Sequence, residues 1–408
     1  MARVSVIVPA FNAARFIGDC LSSLTRQSFT DFEVLVCDDG STDETVSIVE
    51  GFCNADSRFQ LLSLEHMGAG AARNQGMKSA QGDYYYFLDA DDYIDDSFLE
   101  RVVLAADNYQ SDIVVVKSHY LDDATKAEWP IAYAIQDVPF DTLMIDESLP
   151  VNPFQSFVGW PWDKLFRSSF VRDNGLEFQE LRSTNDARFV FLSICLARRI
   201  VCLDYDGVAH RTNNKDSLEH TRSKSWDNAI SAMESISDYM QSERYSNEQR
   251  NSFANWAAHF SYWSMSTLDN GGLTEDVVIA FDNFLSSVNF NDVIFKSDED
   301  REFASLAHSS RLGVIQSYIK QRSRFQAVLD KLYREERELC DNLNKMKDHI
   351  ADLEAVNLKQ TQQLELYRQY EDMFHCVKKS YSFRIGNFLL KPFSFIKSKL
   401  KSNSQTNK

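Results

Sequence analysis

Apolar positions in the first 120 residues alternate between short continuous runs and stretches with helical spacing. Continuous apolar runs predict buried strands, and spacing of three and four residues predicts helices packed against them. The predicted strands are 4–8, 32–37, 60–64, 84–88 and 113–116. The predicted helices are 14–27, 43–52, 70–80 and 97–108. Such alternation is typical of an α/β fold with a mostly parallel sheet and right-handed crossovers.

Two of the predicted strands end abruptly in acids. The carboxyl ends of parallel strands meet at one edge of a sheet, so these acids predict a ligand-binding crevice there. Oxygen ligands suit a hard divalent cation such as Mg2+ or Mn2+. Either turn alone could instead cap the next helix, and for Asp43 capping is the favoured interpretation. The residues are Asp38, Asp39 and Asp43 after one strand, and Asp89, Ala90, Asp91 and Asp92 after the other.

Each acidic turn also contains a serine followed three residues later by a glutamate. The pairs are Ser41 with Glu44 and Ser97 with Glu100. This is capping-box spacing, which predicts a helix start beside each acidic turn.

Four segments, in this order and spacing, carry a resemblance: Val4 to Asn12 with Pro9, the turn from Asp38 to Asp43, Ala72-Arg73-Asn74, and Asp89-Ala90-Asp91-Asp92. Together they resemble the nucleotide-sugar domain of family 2 glycosyltransferases, which have the GT-A fold. The resemblance extends to about residue 210. It implies an enzyme of the hexosyltransferase type that moves a sugar from a nucleotide-sugar, most often a UDP-sugar, to an acceptor hydroxyl.

The resemblance also implies how the nucleotide part of the donor is held. Asp39 is expected to accept from the uracil ring, with Asp38 as its neighbour. Asp89 is expected on the ribose side. Pro9 and Ala90 belong to the same nucleotide-sugar-binding motifs.

For the diphosphate, the resemblance implies a metal site at Asp91, holding Mn2+ or Mg2+ between the two phosphates. Arg73 is expected to add a fixed positive charge, because glycines at 68 and 70 allow a close backbone approach just before it. The alternative for Arg73 is pairing with a structural acid. Asp92 points the other way along an extended backbone, which favours a supporting or capping role.

Asp186, in Thr184-Asn185-Asp186, occupies the place where the family has its catalytic base. A carboxylate within reach of the acceptor hydroxyl can take its proton, and direct displacement inverts the anomeric configuration. The chain departs from the commoner Glu-Asp pair by having Asn185. The alternative is that Asp186 is simply an acid at a helix N-terminus.

Residues 121–161 lack periodicity and predict a long irregular connection. Trp162 and Asp163 are candidates for the acceptor site, with core packing as the alternative. His210 and Arg211 are expected in a loop that closes over the diphosphate, with surface placement as the alternative.

The pattern divides the chain into a catalytic domain (1–222), a helical extension (223–320), a coiled coil (321–372) and a basic amphipathic tail (373–408). Aromatic residues in the extension favour core packing over a sugar platform. The 3–4 spacing of the third segment predicts a homodimer, with one long docked helix as the alternative. The tail interleaves aromatic and basic residues, which predicts peripheral contact with anionic membrane rather than a solvated tail.

The chain has 408 residues and a formal net charge of -17, which argues against nucleic-acid binding. Its seven cysteines are scattered and odd in number, which favours reduced thiols in a cytosolic protein. We find neither a signal peptide nor an apolar run long enough to span a bilayer. These features predict a cytoplasmic protein at the inner face of the cell membrane.

The sequence thus predicts an inverting, metal-dependent glycosyltransferase acting on a glycan or lipid-linked acceptor in bacterial surface-polysaccharide synthesis. Transfer directly to polyprenyl phosphate is a second enzyme interpretation, but it usually brings transmembrane helices or a shorter chain. An inactive GT-A scaffold that assembles a glycan-synthesis complex through its coiled coil is the alternative from another class. Its weight is small, because Asp91 and Asp186 are both present.

Overall fold

The computed structural model describes residues 2–212, 224–268, 273–290, 293, 295 and 298–307, and eight single residues between 346 and 372. The chain divides into two compact units, Met1–Gln321 and Arg322–Lys408. The eight single residues all lie in helix and belong to the second unit. The remainder of the predicted coiled coil and the basic tail lie outside the described residues.

The first unit is built on one mixed sheet with the strand order β3-β2-β1-β4-β9-β6-β10-β5. Neighbours β3, β2, β1 and β4 are parallel, and β10 is parallel to β6. Strands β9, β7, β8 and β5 pair antiparallel with their neighbours. The strands are β1 (Val4–Ala10), β2 (Phe32–Asp38), β3 (Phe59–Ser63), β4 (Tyr84–Phe87), β5 (Tyr93–Ile94), β6 (Ile113–Asp122), β7 (Glu128–Pro130), β8 (Thr142–Ile145), β9 (Lys164–Arg167) and β10 (Arg199–Thr212).

Eleven helices accompany the sheet in the described residues, together with one 3-10 turn at Asp146–Ser148. They are α1 (Ile17–Thr25), α2 (Thr45–Ala55), α3 (Ala69–Ser79), α4 (Phe98–Tyr109), α5 (Pro153–Ser156), α6 (Ser168–Asp173), α7 (Ala187–Leu196), α8 (Trp226–Met240), α9 (Asn247–Ser266), α10 (Glu275–Ser287) and α11 (Asp298–Ala307).

The two faces of the sheet bury separate cores. Successive side chains of β1 alternate, so Val6 and Val8 join α1 and α4 on one face, while Ile7 joins α3 and α7 on the other. Every residue of β1 and β2 is buried. This is the pattern of parallel strands covered by helices on both sides, and it explains their continuous apolar runs.

The β-α alternation predicted for residues 4–116 is confirmed, with element ends shifted by a few residues. The prediction of an irregular connection over 121–161 was wrong in part. The structure has β7, β8 and α5 in that stretch. These elements are only three or four residues long, too short to produce a readable period.

Neither predicted capping box forms. Ser97 precedes α4 but makes no capping hydrogen bond, and its hydroxyl donates to Asp95 instead. Helix α2 starts at Thr45, and the Ser41 hydroxyl accepts from the Asn12 amide. In both turns the serine hydroxyl makes a different hydrogen bond. The spacing therefore predicted where a helix begins but not the capping box itself.

Helices α8 to α11 pack on the catalytic part through α7 and α5, and they share one hydrophobic core with the sheet. The Trp256 ring on α9 lies 4.9 Å from Phe191 on α7 and 4.8 Å from Phe260. These contacts fit core packing, the favoured interpretation of the aromatic residues in this extension. Within the described ranges, no helix combines the length and apolarity needed to cross a bilayer.

Candidate active site

The carboxyl ends of β1 and β2 form one side of the site. Ala10 lies opposite Asp38 in the register of these strands, and the Asp39 amide donates to the Ala10 carbonyl. Asn12 has a left-handed backbone (φ 48°), and its side-chain oxygen accepts from the Thr42 amide at 2.8 Å. The turn after Pro9 and the acidic turn after β2 therefore hold each other in place.

Asp39 organises the loop that enters α3. Its carboxylate is buried and accepts from the backbone amides of Met67 at 2.8 Å and Gly68 at 2.9 Å. Asp38 is equally buried and accepts from the Ser41 amide at 3.2 Å. Its other oxygen, Oδ1, has no hydrogen-bond partner in the described part of the protein.

Asp43 lies just before the start of α2, although the N-cap position itself is Glu44, which makes no side-chain capping hydrogen bond. Its carboxylate accepts from the amides of Thr45 and Ala14, both at 3.0 Å. Burial raises the pKa of Asp43, but the hydrogen bonds from Thr45 and Ala14 together outweigh it and leave the pKa below its usual value. Asp43 is thus a structural acid at the edge of the site.

A guanidinium bridge joins the strand-end acid to the segment that carries the predicted base. Arg73, on α3, donates to Asp89 Oδ1 at 2.6 Å and to Asn185 Oδ1 at 2.8 Å. Its side chain is almost fully buried, against 28% exposure for the Asp89 side chain. The structure therefore pairs the buried Arg73 with Asp89, the predicted ribose-side acid, and with Asn185.

The same helix fixes the rest of this segment. Asn74 exchanges two hydrogen bonds with the Phe178 backbone, at 2.9 and 3.0 Å. A Cβ at Gly70 would lie 1.9 Å from the Gln179 carbonyl oxygen and 3.2 Å from the Asn185 Cβ. Gly70 is therefore needed for close packing between α3 and residues 178–185, which explains one of the two glycines before Arg73.

Asp186 lies at the N-cap position of α7, half-buried, and its side chain makes no capping hydrogen bond. Thr184, two residues earlier, has a left-handed backbone with φ 58°. Such a conformation is costly for a β-branched residue and is retained where the surroundings fix it. The hydrogen bonds of Asn185 to Arg73 and of its carbonyl to the Gln179 amide provide that support.

Asp91 and Asp92 face different surroundings, as the sequence predicted. Asp92 is fully buried and accepts from His210 Nδ1 at 2.8 Å and from the Arg211 amide at 2.9 Å. Asp91 is half-buried, and its carbonyl accepts from Arg211 Nε at 2.9 Å. Ala90, between the two acids of the motif, is buried.

His210 and Arg211 end strand β10, so their predicted loop placement was wrong. Burial disfavours the His210 imidazolium, but the charge and hydrogen bond of Asp92 outweigh it, and the pKa rises to about 9. Asp91 and Asp89 raise it further. The pKa of Asp92 itself is raised by burial, against the opposing effect of His210. These acids therefore favour the charged form of His210.

Few protein ligands for a divalent cation lie at this edge, so a cation here would be shared with a substrate. Within the described ranges, no three His, Cys, Asp or Glu side chains are placed to hold a metal ion. The carboxylate of Asp92 is used by β10, which leaves Asp91 and Asp89 as the partly accessible oxygen donors at this edge. Mg2+ and similar ions are commonly held by one or two carboxylates and the phosphates of a nucleotide.

Trp162 and Asp163 are core residues, so the structure supports the alternative to an acceptor role. Asp163 pairs with Lys164 at 2.6 Å, and both side chains are fully buried. Burial raises the pKa of Asp163, and the Lys164 charge opposes that rise. Trp162 stacks on the His210 ring at 4.8 Å and on the Trp160 ring at 4.9 Å.

Sequence reasoning did not find the aromatic groups around the site. Phe11 is 45% exposed and stacks on His66 at 4.2 Å, directly beside the Asp39 turn. The position of Phe11, between Pro9 and Asn12 of a recognised motif, was the available signal. Trp160 has no such motif around it.

Comparison with known proteins places these observations in a family. Residues 5–163 match the model of the family Glycosyl transferase family 2. The protein EpsH of Bacillus subtilis is 27% identical over 253 residues, which are 60% of this chain and 72% of EpsH. Poly(ribitol-phosphate) beta-N-acetylglucosaminyltransferase TarS of Staphylococcus aureus is 32% identical over 208 residues, which are 50% of this chain and 34% of TarS.

A crystal structure of residues 1–349 of S. aureus TarS in complex with UDP-GlcNAc has the same fold. It superposes with a TM-score of 0.64 at 22% identity and covers 79% of this chain and 92% of the TarS chain. The predicted GT-A fold class is thereby confirmed. The similarity to family 2 glycosyltransferases thus lies in residues 5–163, and the predicted enzyme class, a glycosyltransferase, is confirmed.

Proposed function

We propose that this glycosyltransferase is an inverting, metal-dependent enzyme that transfers a sugar from a UDP-sugar to a hydroxyl of a glycan or lipid-linked acceptor. One observation carries the proposal. Arg73 ties Asp89, at the end of β4, to Asn185, the neighbour of Asp186. A donor-side acid and a candidate base 97 positions away in the sequence are thus fixed on one rigid frame.

The nucleotide would lie over the ends of β1 and β2. Asp38 and Asp39 are fixed there by backbone amides, and the stacked pair of Phe11 and His66 offers a ring surface next to them. Aromatic faces suit a planar base, since stacking adds to the burial of apolar area. Asp89 would take the ribose hydroxyls. TarS, whose complex contains UDP-GlcNAc, supports the choice of a uridine nucleotide.

Asp91 would hold the divalent cation, Mn2+ or Mg2+, together with the diphosphate of the donor. When bound, this cation stabilises the negative charge that develops on the leaving phosphate oxygen. The pairing of Asp92 with His210 would fix the backbone next to Asp91 and so help to position the Asp91 side chain. Arg73 would act on the diphosphate through its effect on Asp89, because its two terminal nitrogens donate to Asn185 and Asp89.

Asp186 would remove the proton from the acceptor hydroxyl as that oxygen attacks the anomeric carbon. The bond from this carbon to the diphosphate oxygen breaks on the opposite face, so the configuration inverts. A well-placed general base contributes about 10²- to 10⁴-fold to the rate. Asn185 accepts from Arg73 and has no carboxylate, so Asp186 is the residue of this pair that can act as a base.

The test is a panel of UDP- and GDP-sugars, each with Mn2+, with Mg2+ and with EDTA, scored for thermal stabilisation and for nucleotide release. We expect one UDP-sugar to stabilise the protein and release UDP only with metal, and Asp91→Ala to abolish both effects. Lack of stabilisation by every donor would favour the inactive scaffold. Equal turnover in EDTA would contradict the metal site.

The remaining predictions about location and assembly rest on sequence. We propose that the protein works at the cytoplasmic face of the membrane, that residues 373–408 contact anionic lipid, and that residues 321–372 form a homodimer. The support is the basic, aromatic character of the tail and the 3–4 apolar spacing before it.

A further inference from the structure

Four aromatic side chains form a surface beside the site, which we call the aromatic ledge. It consists of Tyr120 on β6, Trp129 on β7, and Tyr133 and Trp160 in the connections that follow. Tyr133 is 48% exposed, and the other three rings are half-buried. Many large aromatic residues of the described chain are buried in its two cores, whereas these four keep part of their ring surface accessible.

The rings form a continuous series. Tyr133 meets the Trp160 ring edge-on at 6.0 Å, and its hydroxyl hydrogen-bonds to that of Tyr120. The Tyr120 ring lies 5.6 Å from Trp129, its partner across the β6–β7 pair. Trp160 stacks on the buried Trp162, so this end of the ledge is packed against the core.

The backbone under the ledge is fixed by buried groups. Lys164 Nζ donates to the carbonyls of Val158 at 3.1 Å and Trp160 at 2.9 Å, while pairing with Asp163. The Val158 amide donates to the Ala134 carbonyl, which ties the two connections to each other. The buried Asp163–Lys164 pair thus holds Trp160 in place. A ligand binding to a surface fixed in this way loses little free energy to ordering side chains.

The ledge and the residue before Trp160 lie near groups from both the donor side and the base side of the site. On the donor side, His210 lies 6.0 Å from Trp160 and 5.8 Å from Tyr120, and it pairs with Asp92 of the acidic motif. On the base side, a Cβ at Gly159 would lie 3.5 Å from the Ala187 Cα, the residue after Asp186. The connection that carries Trp160 therefore packs against His210, the partner of Asp92, and against the start of α7, where Asp186 lies.

The position in the sheet separates the ledge from the nucleotide. Strand order places β2 and β1 on one side of β4, and β6 and β10 on the other. Phe11 and His66 lie at the ends of β1 and β2, whereas the ledge lies along β6 and β7. If the nucleotide base of the donor lies over β1 and β2 and its diphosphate lies at Asp91, the surface along β6 and β7 is left for another ligand.

We propose that the aromatic ledge binds a sugar ring of the acceptor, which makes the acceptor a pyranose-containing glycan; this rests on the proposed function. One face of a pyranose carries mostly C–H groups and packs on aromatic rings, while its hydroxyl rim meets polar groups. Tyr133 and Trp160 supply the faces, and the tyrosine hydroxyls supply polar contacts. Ligand sites of this mixed aromatic and polar character are typical of small-molecule recognition.

The test uses the full-length protein with UDP and Mn2+, titrated with a panel of short pyranose oligosaccharides and followed by tryptophan fluorescence. We expect at least one glycan to bind wild type and Tyr133→Phe alike, and to bind Tyr133→Ala about tenfold more weakly, the loss of one stacking contact. Tyr239→Ala, which removes a similarly exposed tyrosine on α8, is the matched control and should bind as wild type does.

Equal glycan affinity in Tyr133→Ala and wild type would overturn the proposal, and so would the absence of binding by every oligosaccharide in the panel. A matching loss in Tyr239→Ala would also overturn it, since the effect would not be specific to the ledge. UDP binding is measured separately in each variant. Failure of UDP to bind with glycan binding intact would contradict the proposed function and leave the ledge standing.

Discussion

Strand β4 carries an aspartate at each end, and the two lie in opposite surroundings. Asp83, just before the strand, has a 65% exposed side chain and pairs at 2.9 Å with Arg3, which is itself partly exposed. Asp89, just after the strand, is 28% exposed and pairs at 2.6 Å with the nearly buried Arg73. Arg73 also donates to Asn185, whereas Arg3 donates to another surface acid, Asp107, and lies over the Tyr84 ring.

The two ends of β4 thus differ in how firmly the protein holds their charged side chains. Exposed ion pairs contribute about 0–1 kcal/mol, because water and salt screen them. A pair with one buried member cannot be broken cheaply, because the remaining charge is left without its partner. The amino end of the strand is thus an ordinary solvated surface, and the carboxyl end is a built site.

The largest stability difference should appear between the two arginines. Arg73→Ala leaves Asp89 and Asn185 without a donor and should lower the free energy of unfolding by about 2–4 kcal/mol. Arg3→Ala should lower it by less than about 1 kcal/mol. Urea titration followed by circular dichroism measures both. Equal losses would remove the distinction between the two ends of β4.

Arg73→Lys sharpens this comparison. Lysine keeps the charge but lacks the planar fork that reaches two acceptors at once. We expect it to recover part of the stability and little of the donor turnover, because Asp89 and the Asp186 segment would no longer be tied together. Full recovery of turnover would show that the bridge is not needed for positioning.

A smaller effect should follow from pH. The pKa of His210 is raised from 6.5 to about 9 in the folded protein, chiefly by Asp92 against the opposing effect of burial. Its contribution to stability is therefore complete below pH 6.5 and is lost as pH rises through 9. We expect the free energy of unfolding to fall by roughly 2 kcal/mol between pH 7 and pH 9.5.

The matched variant for this pH effect is His210→Gln. It should be less stable than wild type at pH 7 and should show a smaller decline toward pH 9.5. Thermal melts across the pH range provide the measurement. Identical slopes for the two proteins would mean that His210 does not carry the pH dependence.

Sequence patterns predicted the central strands and helices because the apolar spacing of each segment matches the element that it forms. Continuous burial in β1 and β2 made their apolar runs unambiguous. The short strands β7 and β8 were missed, since three or four residues on a sheet edge show no period. His210 and Arg211 were assigned to a loop because burial of polar groups at the end of β10 depends on Asp92, which lies 118 positions earlier.

The acids of the site were predicted from the motifs, but their partners could not be. The Arg73–Asn185 hydrogen bond spans 112 positions, and the Asp39 contacts to residues 67 and 68 depend on how α3 begins. Likewise, the ledge residues Tyr133 and Trp160 lie in a stretch without periodicity. Only the folded chain places Trp160 beside both His210 and Tyr133, and the preceding Gly159 beside Ala187.

The central claim is that the carboxyl end of β4 and the start of α7 form one active site with Asp186 as its base. The most direct measurement compares Asp186→Asn with Asp83→Asn, the matched change at the other end of the strand, for UDP-sugar turnover and UDP affinity. We predict that Asp186→Asn lowers turnover by about 10³-fold with UDP affinity within about twofold of wild type, while Asp83→Asn changes neither. Wild-type turnover in Asp186→Asn would contradict the account.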